Sequence, residues 1–256
     1  MTIGVVIVTH NSEHEIAACL ASVIREGFTT IRIIDSASSD RTTAILQRES
    51  CQYIALRDNK GFAYAANRAA SHLDTDYILF LNPDTQLLPG TGNAIRASIK
   101  QYPQAGIMGV MLVDQRGIME RDAYGNDITL LSIIFRHMYP IQKPRTIIPV
   151  AWVSGGALII KRSVFEQIEG FDDEFFLYWE DIDICKRVRG AGYNVYIDPN
   201  ARILHSRGAS STDQQRKTEL YDSSANRYFQ KYYPPVVCIC HLLLRRIYRL
   251  LRPLAR

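Results

Sequence analysis

Residues 3–8 read Ile-Gly-Val-Val-Ile-Val, a run in which every side chain is β-branched apart from the single glycine. A continuous apolar run of this kind is typical of a strand that is buried on both faces of a parallel sheet. The polar segment 12–15 then matches the capping-box pattern, and apolar residues recur with helical spacing from 16 to 24. This stretch therefore predicts a strand followed by a helix, the unit from which α/β folds are built.

The alternation of strand and helix continues outward from this unit. We predict further strands at 31–34, 53–56 and 77–81, a helix capped by Ser39 or Asp40, and a helix at 61–72. Short units of this kind join parallel strands by right-handed crossovers, so the sequence predicts an α/β fold with a Rossmann-like first half. Ligands of such sheets bind beyond the carboxyl ends of the strands, where we look first for a site.

The second half of the chain is less regular. Residues 115–148 show no clear periodicity. Strands are predicted at 105–113, 152–160, 193–197 and 202–205, and helices at 182–189 and 214–231. We expect one domain over residues 1–232 and a basic, amphipathic C-terminal segment over residues 233–256.

Composition narrows the class of protein. The chain has 256 residues, 47% of them hydrophobic, and a net charge of +4, which fits a globular protein and excludes a disordered or collagen-like one. Its five cysteines lack the spacing of a zinc site or a disulfide framework, which favours reduced thiols in the cytoplasm. The glycine-rich dinucleotide motif, the Walker A motif and the nucleophile-elbow motif are absent from the sequence. Dinucleotide oxidoreductases, P-loop phosphotransferases and serine hydrolases are therefore disfavoured.

Asp84 follows the predicted strand 77–81 in the triplet Asn-Pro-Asp. A carboxylate fixed at the carboxyl edge of a sheet is well placed to hold a divalent cation that also binds phosphate oxygens. The same three residue types favour turns, so the triplet could also serve only to end the strand. His205 ends another predicted strand, and it is either a nitrogen ligand of this cation or an ordinary histidine.

Three carboxylates, at positions 180, 181 and 183, follow Tyr178 and Trp179 at the start of a predicted helix. Acidic side chains favour helix N-termini, so capping alone accounts for one or two of them. Aromatic rings can stack on sugar faces, and burial can raise the pKa of a carboxylate into the range of a general base. The cluster is therefore a candidate for a catalytic base beside a sugar site.

Six segments stand in a fixed order between Val5 and Arg207, and together they resemble one family. The segments are VIVTHN (6–11), IDSASSD (34–40), DNKGFAYAAN (58–67), FLNPDT (80–85), GGALII (155–160) and GFDDEFFLYWEDIDIC (170–185). They resemble the inverting family 2 glycosyltransferases, which have the GT-A fold. The resemblance implies a Rossmann-like nucleotide-binding half with a mixed central sheet, an acceptor-side half and C-terminal helices. Within that family the chain looks most like bacterial rhamnosyltransferases that build O-antigen and other cell-surface polysaccharides.

The resemblance implies a role for each residue that matches a family motif. The implied nucleotide-binding residues are Thr9, Asn11, Asp35, Asn59, Gly61, Asn67 and Asn82. The implied ligands of a Mg²⁺ or Mn²⁺ cofactor are Asp84 and His205, and the implied catalytic base is Asp181. The implied contacts to the acceptor or the sugar are Trp152, Gly155, Gly156, Trp179 and Glu180. Asn82 departs from the family pattern, which often has an acid at that position of the metal motif.

The implied reaction is direct displacement with inversion, in which Asp181 takes the proton of the acceptor hydroxyl while the cation neutralises the departing diphosphate. The implied donor is dTDP-rhamnose, and the acceptor is a saccharide on a lipid carrier. Two alternatives stay open: the same fold with a UDP-hexose or another nucleotide sugar, and an inactive module that binds nucleotide sugars or carbohydrate. No nucleic-acid partner is expected, because no basic patch interleaved with aromatic residues appears in the sequence.

The C-terminal segment is strongly basic. Seven of the 30 basic residues follow Asp222, and none of the 26 acidic residues does. Leucine and isoleucine at 243, 247, 250 and 254 have helical spacing, and arginine at 245, 249, 252 and 256 repeats it on roughly the opposite face. Residues 239–256 thus fit an anionic membrane surface, which would place the protein on the inner face of the cytoplasmic membrane. The alternative is a helix docked on the body of the protein or in an oligomer interface.

Overall fold

The computed structural model describes residues 1–130, 132, 143–206 and 214–251, and for residues 214 and 247–251 it describes the backbone. The strands are β1 (Ile3–Thr9), β2 (Ile31–Asp35), β3 (Tyr53–Ala55), β4 (Tyr77–Leu81), β5 (Thr85–Leu87), β6 (Ala105–Val113), β7 (Tyr124–Gly125), β8 (Ile148–Pro149), β9 (Trp152–Val153), β10 (Ala157–Lys161) and β11 (Asn194–His205). The helices are α1 (Ile16–Arg25), α2 (Thr42–Arg48), α3 (Phe62–Ala70), α4 (Thr91–Gln101), α5 (Arg162–Gln167), α6 (Glu180–Gly190), α7 (Gln214–Tyr232) and α8 (Pro235–Leu251).

One mixed sheet forms the centre of the fold, with the strand order β3-β2-β1-β4-β10-β6-β11-β5 and with β8 paired to β11. The strands β3, β2, β1 and β4 are parallel to one another, as expected for a Rossmann-like half. Strand β10 is antiparallel to both of its neighbours, whereas β6 and β11 are again parallel. The predicted α/β fold with a mixed central sheet is therefore confirmed.

The apolar runs of the sequence form the core of this sheet. Six of the seven residues of β1 and all nine residues of β6 are buried, which is why neither strand shows polar alternation. Helix α3 packs against β1 and β2, and α4 packs against β11. A second apolar cluster lies between the segment that precedes α6 and the helices α7 and α8. Within the described residues, none of the helices combines the length and apolarity needed to cross a bilayer.

Three details of the predicted secondary structure were wrong. The capping box at 12–15 does not form, because the Ser12 hydroxyl interacts with the backbone of His10 and the helix begins only at Ile16. The predicted strand 152–160 is two strands, β9 and β10. The predicted strands 193–197 and 202–205 are one strand, β11, whose pairing with β6 shifts register between Asp198 and Arg202. Residues 199–201 of β11 have no partner on β6, so the strand continues past residues that read as a turn.

Candidate active site

The candidate site lies where several strands end at the carboxyl edge of the parallel half. The backbone N–H of Asn82 donates to the carbonyl of Gly156, 3.0 Å away, so the end of β4 is joined to the start of β10. The backbone N–H of Ser206 donates to the carbonyl of Asp84 at 2.9 Å, which joins the end of β11 to the same turn. Segments that are far apart in the sequence thus meet around Asp84.

His205 lies between two carboxylates. Its Nε2 atom is 3.2 Å from Oδ2 of Asp84, and its Nδ1 atom is 3.0 Å from Oε2 of Glu120. The three side chains are largely or partly buried, with exposed fractions of 19% for His205, 26% for Asp84 and 6% for Glu120. The sequence did not point to Glu120, because it lies in the stretch without periodicity and is 85 residues from His205 along the chain.

The two carboxylates favour the charged form of His205. Burial lowers the pKa of the imidazole, but the hydrogen bonds and charges of Asp84 and Glu120 outweigh burial and raise the pKa from 6.5 to about 9. The ring is therefore an imidazolium at neutral pH as long as no cation competes with its proton. Metal binding to a histidine requires the loss of that proton.

The donor set around Asp84 suits a divalent cation. A carboxylate oxygen of Asp84 and the Nε2 atom of His205 already point at each other, and both atom types are ordinary ligands of Mn²⁺ and related metals. A carboxylate on the far nitrogen of a ligating histidine is the usual outer partner of such a ligand, and Glu120 holds that position. Within the residues that the structure describes, no group of three or more His, Cys, Asp or Glu side chains forms a protein-only metal site.

Asp181 and Glu180 begin helix α6. Oδ2 of Asp181 accepts a hydrogen bond from the backbone N–H of Gly155 at 2.8 Å, and Oδ1 accepts one from the N–H of Ile182 at 2.8 Å. Asp181 is partly exposed, whereas Glu180 is buried.

Burial changes the pKa of both carboxylates. It raises the pKa of Asp181, although the N–H groups of Gly155 and Ile182 partly offset the effect. Burial together with the charge of Asp181 raises the pKa of Glu180 well above its usual range. Both side chains therefore hold their protons more tightly than exposed carboxylates do.

The backbone before α6 is strained. Tyr178 and Trp179 are consecutive non-glycine residues with positive φ, 69° and 68°. Such a conformation costs on the order of 1–3 kcal/mol per residue and is concentrated at functional sites. Here it turns the chain sharply, so that Asp181 faces Gly155.

Gly155 and Gly156 connect the two halves of the site. Gly155 binds Asp181, and Gly156 binds Asn82, two residues before Asp84. Burial raises the pKa of Tyr178, and the charges of Glu180 and Asp84 raise it further, so both carboxylates lie within electrostatic reach of this phenol. The structure thus joins both Asp181 and Asn82, which is two residues before Asp84, to one pair of consecutive glycines.

The polar residues after β1 and β2 form a network of their own. The Thr9 hydroxyl donates to Oδ1 of Asp35 at 2.8 Å, and Ser38 donates to both oxygens of Asp35 through its N–H and its hydroxyl. Oδ1 of Asn11 accepts a hydrogen bond from the N–H of Ser39 at 2.8 Å, and Asn11 has a φ of 52°. The loops that follow the two strands are therefore held together at the edge of the sheet.

The start of helix α3 is held by Asn59 and Gly61. Oδ1 of Asn59 accepts the N–H of Gly61 at 2.9 Å, and Gly61 has a φ of 92°. A Cβ atom on Gly61 would collide with the backbone of Phe176, and the N–H of Phe62 donates to the Phe176 carbonyl at 2.8 Å. Only glycine permits this approach of α3 to the segment before α6.

Asn67, a predicted nucleotide-binding residue, contacts the loop that precedes α6. Its Nδ2 atom donates to the carbonyl of Phe171 and to Oδ1 of Asp173, and its Oδ1 atom accepts the N–H of Phe171 at 2.8 Å. These contacts fix the loop that precedes α6, and the nucleotide contact of Asn67 stays a prediction.

The two tryptophans that are predicted to contact the acceptor or the sugar are both held by packing. Trp179 is 4% exposed and packs against Tyr221, Tyr228 and Phe229 of α7, so its ring offers no open face to a sugar. Trp152 is partly buried and lies over Gly125, where an added Cβ atom would be 2.5 Å from the indole. Its Nε1 atom donates to the carbonyl of Asn126, which fixes the ring in place at the β7–β9 pair.

Comparison with known proteins adds sequence evidence to this geometry. Residues 4–169 match the model of glycosyl transferase family 2, and residues 136–207 match a model described as the N-terminal domain of galactosyltransferase. The chain is 28% identical to the N-acetylglucosaminyl-diphospho-decaprenol L-rhamnosyltransferase of Mycobacterium tuberculosis, over 81% of this chain and 76% of that protein. It is 26% identical to the rhamnosyltransferase WbbL of Escherichia coli K12, over 65% of this chain and 70% of that protein.

A solved structure with the same architecture is the mannosyltransferase PcManGT from Pyrobaculum calidifontis, in complex with GDP-Man and Mn²⁺. The two structures align with a TM-score of 0.59 over 96% of this chain and 80% of that one, at 14% identity. A likeness at this identity shows the fold, which is the GT-A fold. The family model covers well over half of the sequence, and the chain therefore belongs to glycosyl transferase family 2.

Proposed function

We propose that this protein transfers a sugar, rhamnose from dTDP-rhamnose, to a saccharide on a lipid carrier during the synthesis of a cell-surface polysaccharide of the O-antigen type. The observation that carries the proposal is that two consecutive glycines bind both Asp181 and Asn82, and that Asn82 stands two residues before Asp84, which contacts His205. Support for rhamnose comes from the two rhamnosyltransferases that the chain resembles, and support for a lipid-linked acceptor comes from the decaprenol carrier in the name of the first.

On the donor side, Asp84 and His205 would hold Mg²⁺ or Mn²⁺. The cation, when bound, supplies positive charge that neutralises the departing diphosphate. PcManGT, whose structure contains Mn²⁺, supports a metal of this kind. Thr9, Asn11, Asp35, Asn59, Gly61 and Asn82 line the same edge of the sheet, and we assign the nucleoside to this edge. Asn59 and Gly61 immediately precede α3, and the side chain of Asn59 holds the N–H of Gly61.

On the acceptor side, Asp181 would take the proton from the attacking hydroxyl. The N–H of Gly155 holds its carboxylate in one orientation, and burial raises its pKa toward the range in which a carboxylate is an effective base. The hydroxyl oxygen attacks the anomeric carbon while the bond to the diphosphate breaks on the opposite side, so the configuration inverts. We propose Gly155, Gly156, Trp152 and Glu180 as the surroundings of the acceptor, and of these Gly155 contacts Asp181.

A donor panel tests this function directly. Purified protein is incubated with dTDP-rhamnose, UDP-hexoses and GDP-mannose, each with Mn²⁺ and a prenyl-diphosphate-linked N-acetylglucosamine acceptor, and NMR records the anomeric configuration of the product. We expect transfer from dTDP-rhamnose with inversion. Transfer only from a UDP-hexose would show that the donor is a UDP-hexose and not dTDP-rhamnose. Binding of a donor without its transfer or hydrolysis would favour the alternative of an inactive module.

Helix α8 provides the contact with a membrane in this proposal. Its inner face packs on α7, where His241 stacks on Phe229 with ring centroids 4.0 Å apart and Arg245 pairs with Asp222. The predicted assignment of faces is corrected here, because Arg245 points to the body of the protein and not to solvent. The outward face carries Val236, Ile239, Leu242 and Leu243, which are 44–64% exposed.

We therefore assign residues 1–232 to the catalytic domain and residues 233–256 to a segment that lies on an anionic bilayer. Of the predicted amphipathic pattern, residues 252–256 lie outside the described part of the chain. The exposed apolar stripe can enter the acyl boundary, and Arg246, which is also exposed, can contact anionic headgroups. This contact would hold the enzyme on the inner face of the cytoplasmic membrane, where a lipid-linked acceptor is found.

Liposome co-sedimentation of paired variants tests the membrane contact. Ile239→Gln combined with Leu243→Gln should lower binding to vesicles that contain phosphatidylglycerol by at least tenfold. Ile24→Gln is the matched control, because Ile24 is 59% exposed and Ile239 is 58% exposed, but Ile24 lies on α1. Equal sedimentation of all variants would refute the membrane contact and favour a protein interface.

A further inference from the structure

We propose that Glu120 is a positioning residue that fixes the ring of His205 for cation-dependent donor binding. This inference rests on the proposed function, because it assigns His205 as a ligand of the cation. Glu120 itself lies on the far side of the ring from Asp84, since it contacts Nδ1 and Asp84 contacts Nε2. Its effect is therefore exerted through His205.

A tight turn after β6 places Glu120. Oδ1 of Asp114 accepts the N–H groups of Arg116 and Ile118, and Gly117 has a φ of 73°. The chain then runs back along β6, where Val113 and Met119 form an antiparallel bridge. The guanidinium of Arg202 on β11 donates to the carbonyl of Gly117 at 3.0 Å, so the turn is also tied to the strand that carries His205.

The backbone of Glu120 is fixed on both sides. Its N–H donates to the carbonyl of Leu112 at 3.0 Å, and its carbonyl accepts the N–H of Ala123. The pairing of β11 with β6 places Leu204 opposite Val113, which brings His205 to the same end of the sheet. A carboxylate that is 6% exposed is costly to keep in the interior unless a partner compensates for the loss of water. Its contact with His205 supplies such compensation.

The contact decides which nitrogen of His205 is available. When Nδ1 donates its proton to Oε2 of Glu120, the lone pair of the neutral ring is on Nε2, the atom that lies 3.2 Å from Asp84. Without Glu120 the ring loses this hydrogen bond, and both its tautomer and its rotation about χ2 become free. Outer partners of ligating histidines typically contribute 10- to 100-fold to metal affinity.

The experiment measures binding of dTDP to the full-length protein by calorimetry, with MnCl₂ and with EDTA. Glu120→Met removes the acceptor at similar volume, and Glu120→Gln keeps a carbonyl acceptor. We expect Glu120→Met to weaken Mn²⁺-dependent dTDP binding by 10- to 100-fold, and Glu120→Gln to restore part of the loss. Binding in EDTA should stay the same. In a His205→Ala background, Glu120→Met should cause no further loss, because the two residues act as one unit.

Two results overturn the inference by different routes. If the unaltered protein binds dTDP equally with Mn²⁺ and with EDTA, the metal part of the proposed function fails, and the role of Glu120 fails with it. If the unaltered protein depends on Mn²⁺ and Glu120→Met keeps that dependence in full, only the role of Glu120 fails. A purely structural role would instead lower binding equally in Mn²⁺ and in EDTA, or lower it further in the His205→Ala background.

Discussion

Removing either carboxylate beside His205 should lower the pKa of its imidazole toward the ordinary value of 6.5. Asp84 and Glu120 raise the pKa of His205 from 6.5 to about 9 in the metal-free protein. This difference corresponds to about 3 kcal/mol of interaction that favours the imidazolium over the neutral ring. Because the folded-state pKa lies above the unfolded value, this stabilisation is complete below pH 6.5 and is lost as the pH rises through 9.

The pKa of His205 in the metal-free protein is measured from histidine Cε1–Hε1 NMR signals, which are recorded against pH in EDTA. The His205 signal is assigned by its disappearance in His205→Gln. We expect a midpoint near pH 9 in the unaltered protein and lower midpoints in Asp84→Asn and in Glu120→Gln. Glu166→Gln, which removes an exposed carboxylate on α5 that pairs with Arg162, should leave the midpoint unchanged. A midpoint at or below 6.5 in the unaltered protein would show that the two carboxylates do not act on His205 as described.

Two further substitutions test other contacts of the site. Gly155→Ala puts a Cβ atom 3.3 Å from Cβ of Asp181, and it should lower kcat at least tenfold with little change in the KM for the donor. The control is Gly190→Ala, where nothing lies within 4 Å of the new atom. It should be neutral in the same steady-state assay. An unchanged kcat would show that the contact between Gly155 and Asp181 does not affect catalysis. Trp179→Phe should lower the free energy of unfolding in urea by about 1–3 kcal/mol, because it reduces packing in the cluster on α7, and should leave the KM for the acceptor unchanged. A large rise in the KM for the acceptor would indicate that Trp179 contacts the acceptor.

The strands that are buried on both faces were predictable because burial alone explains their composition. Strands β1 and β4 consist of apolar runs followed at once by polar residues, and the structure bounds them at Ile3–Thr9 and Tyr77–Leu81. The break between β9 and β10 was missed, because a pair of glycines inside an apolar run does not reveal that its backbone turns aside to bind Asn82 and Asp181.

Side-chain partners were less predictable than strands, because they depend on contacts between distant segments. Glu120 meets His205 across 85 residues, and Asn67 meets Phe171 across 104. Trp179 reads in sequence as an exposed aromatic beside acids, but helix α7 covers it with residues that come about 50 positions later. No local pattern records which of several polar or aromatic residues such a helix will cover.

The Asp181→Asn variant offers the most direct measurement of the central claim, that Asp181 removes the acceptor proton next to a donor held at Asp84 and His205. Calorimetry with dTDP-rhamnose and Mn²⁺ is compared with transfer to the lipid-linked acceptor, with Glu166→Gln as the control. We expect donor affinity within about twofold of the unaltered protein and a loss of transfer of about a thousandfold or more. Transfer that survives within tenfold, or donor binding that is lost along with transfer, would contradict it.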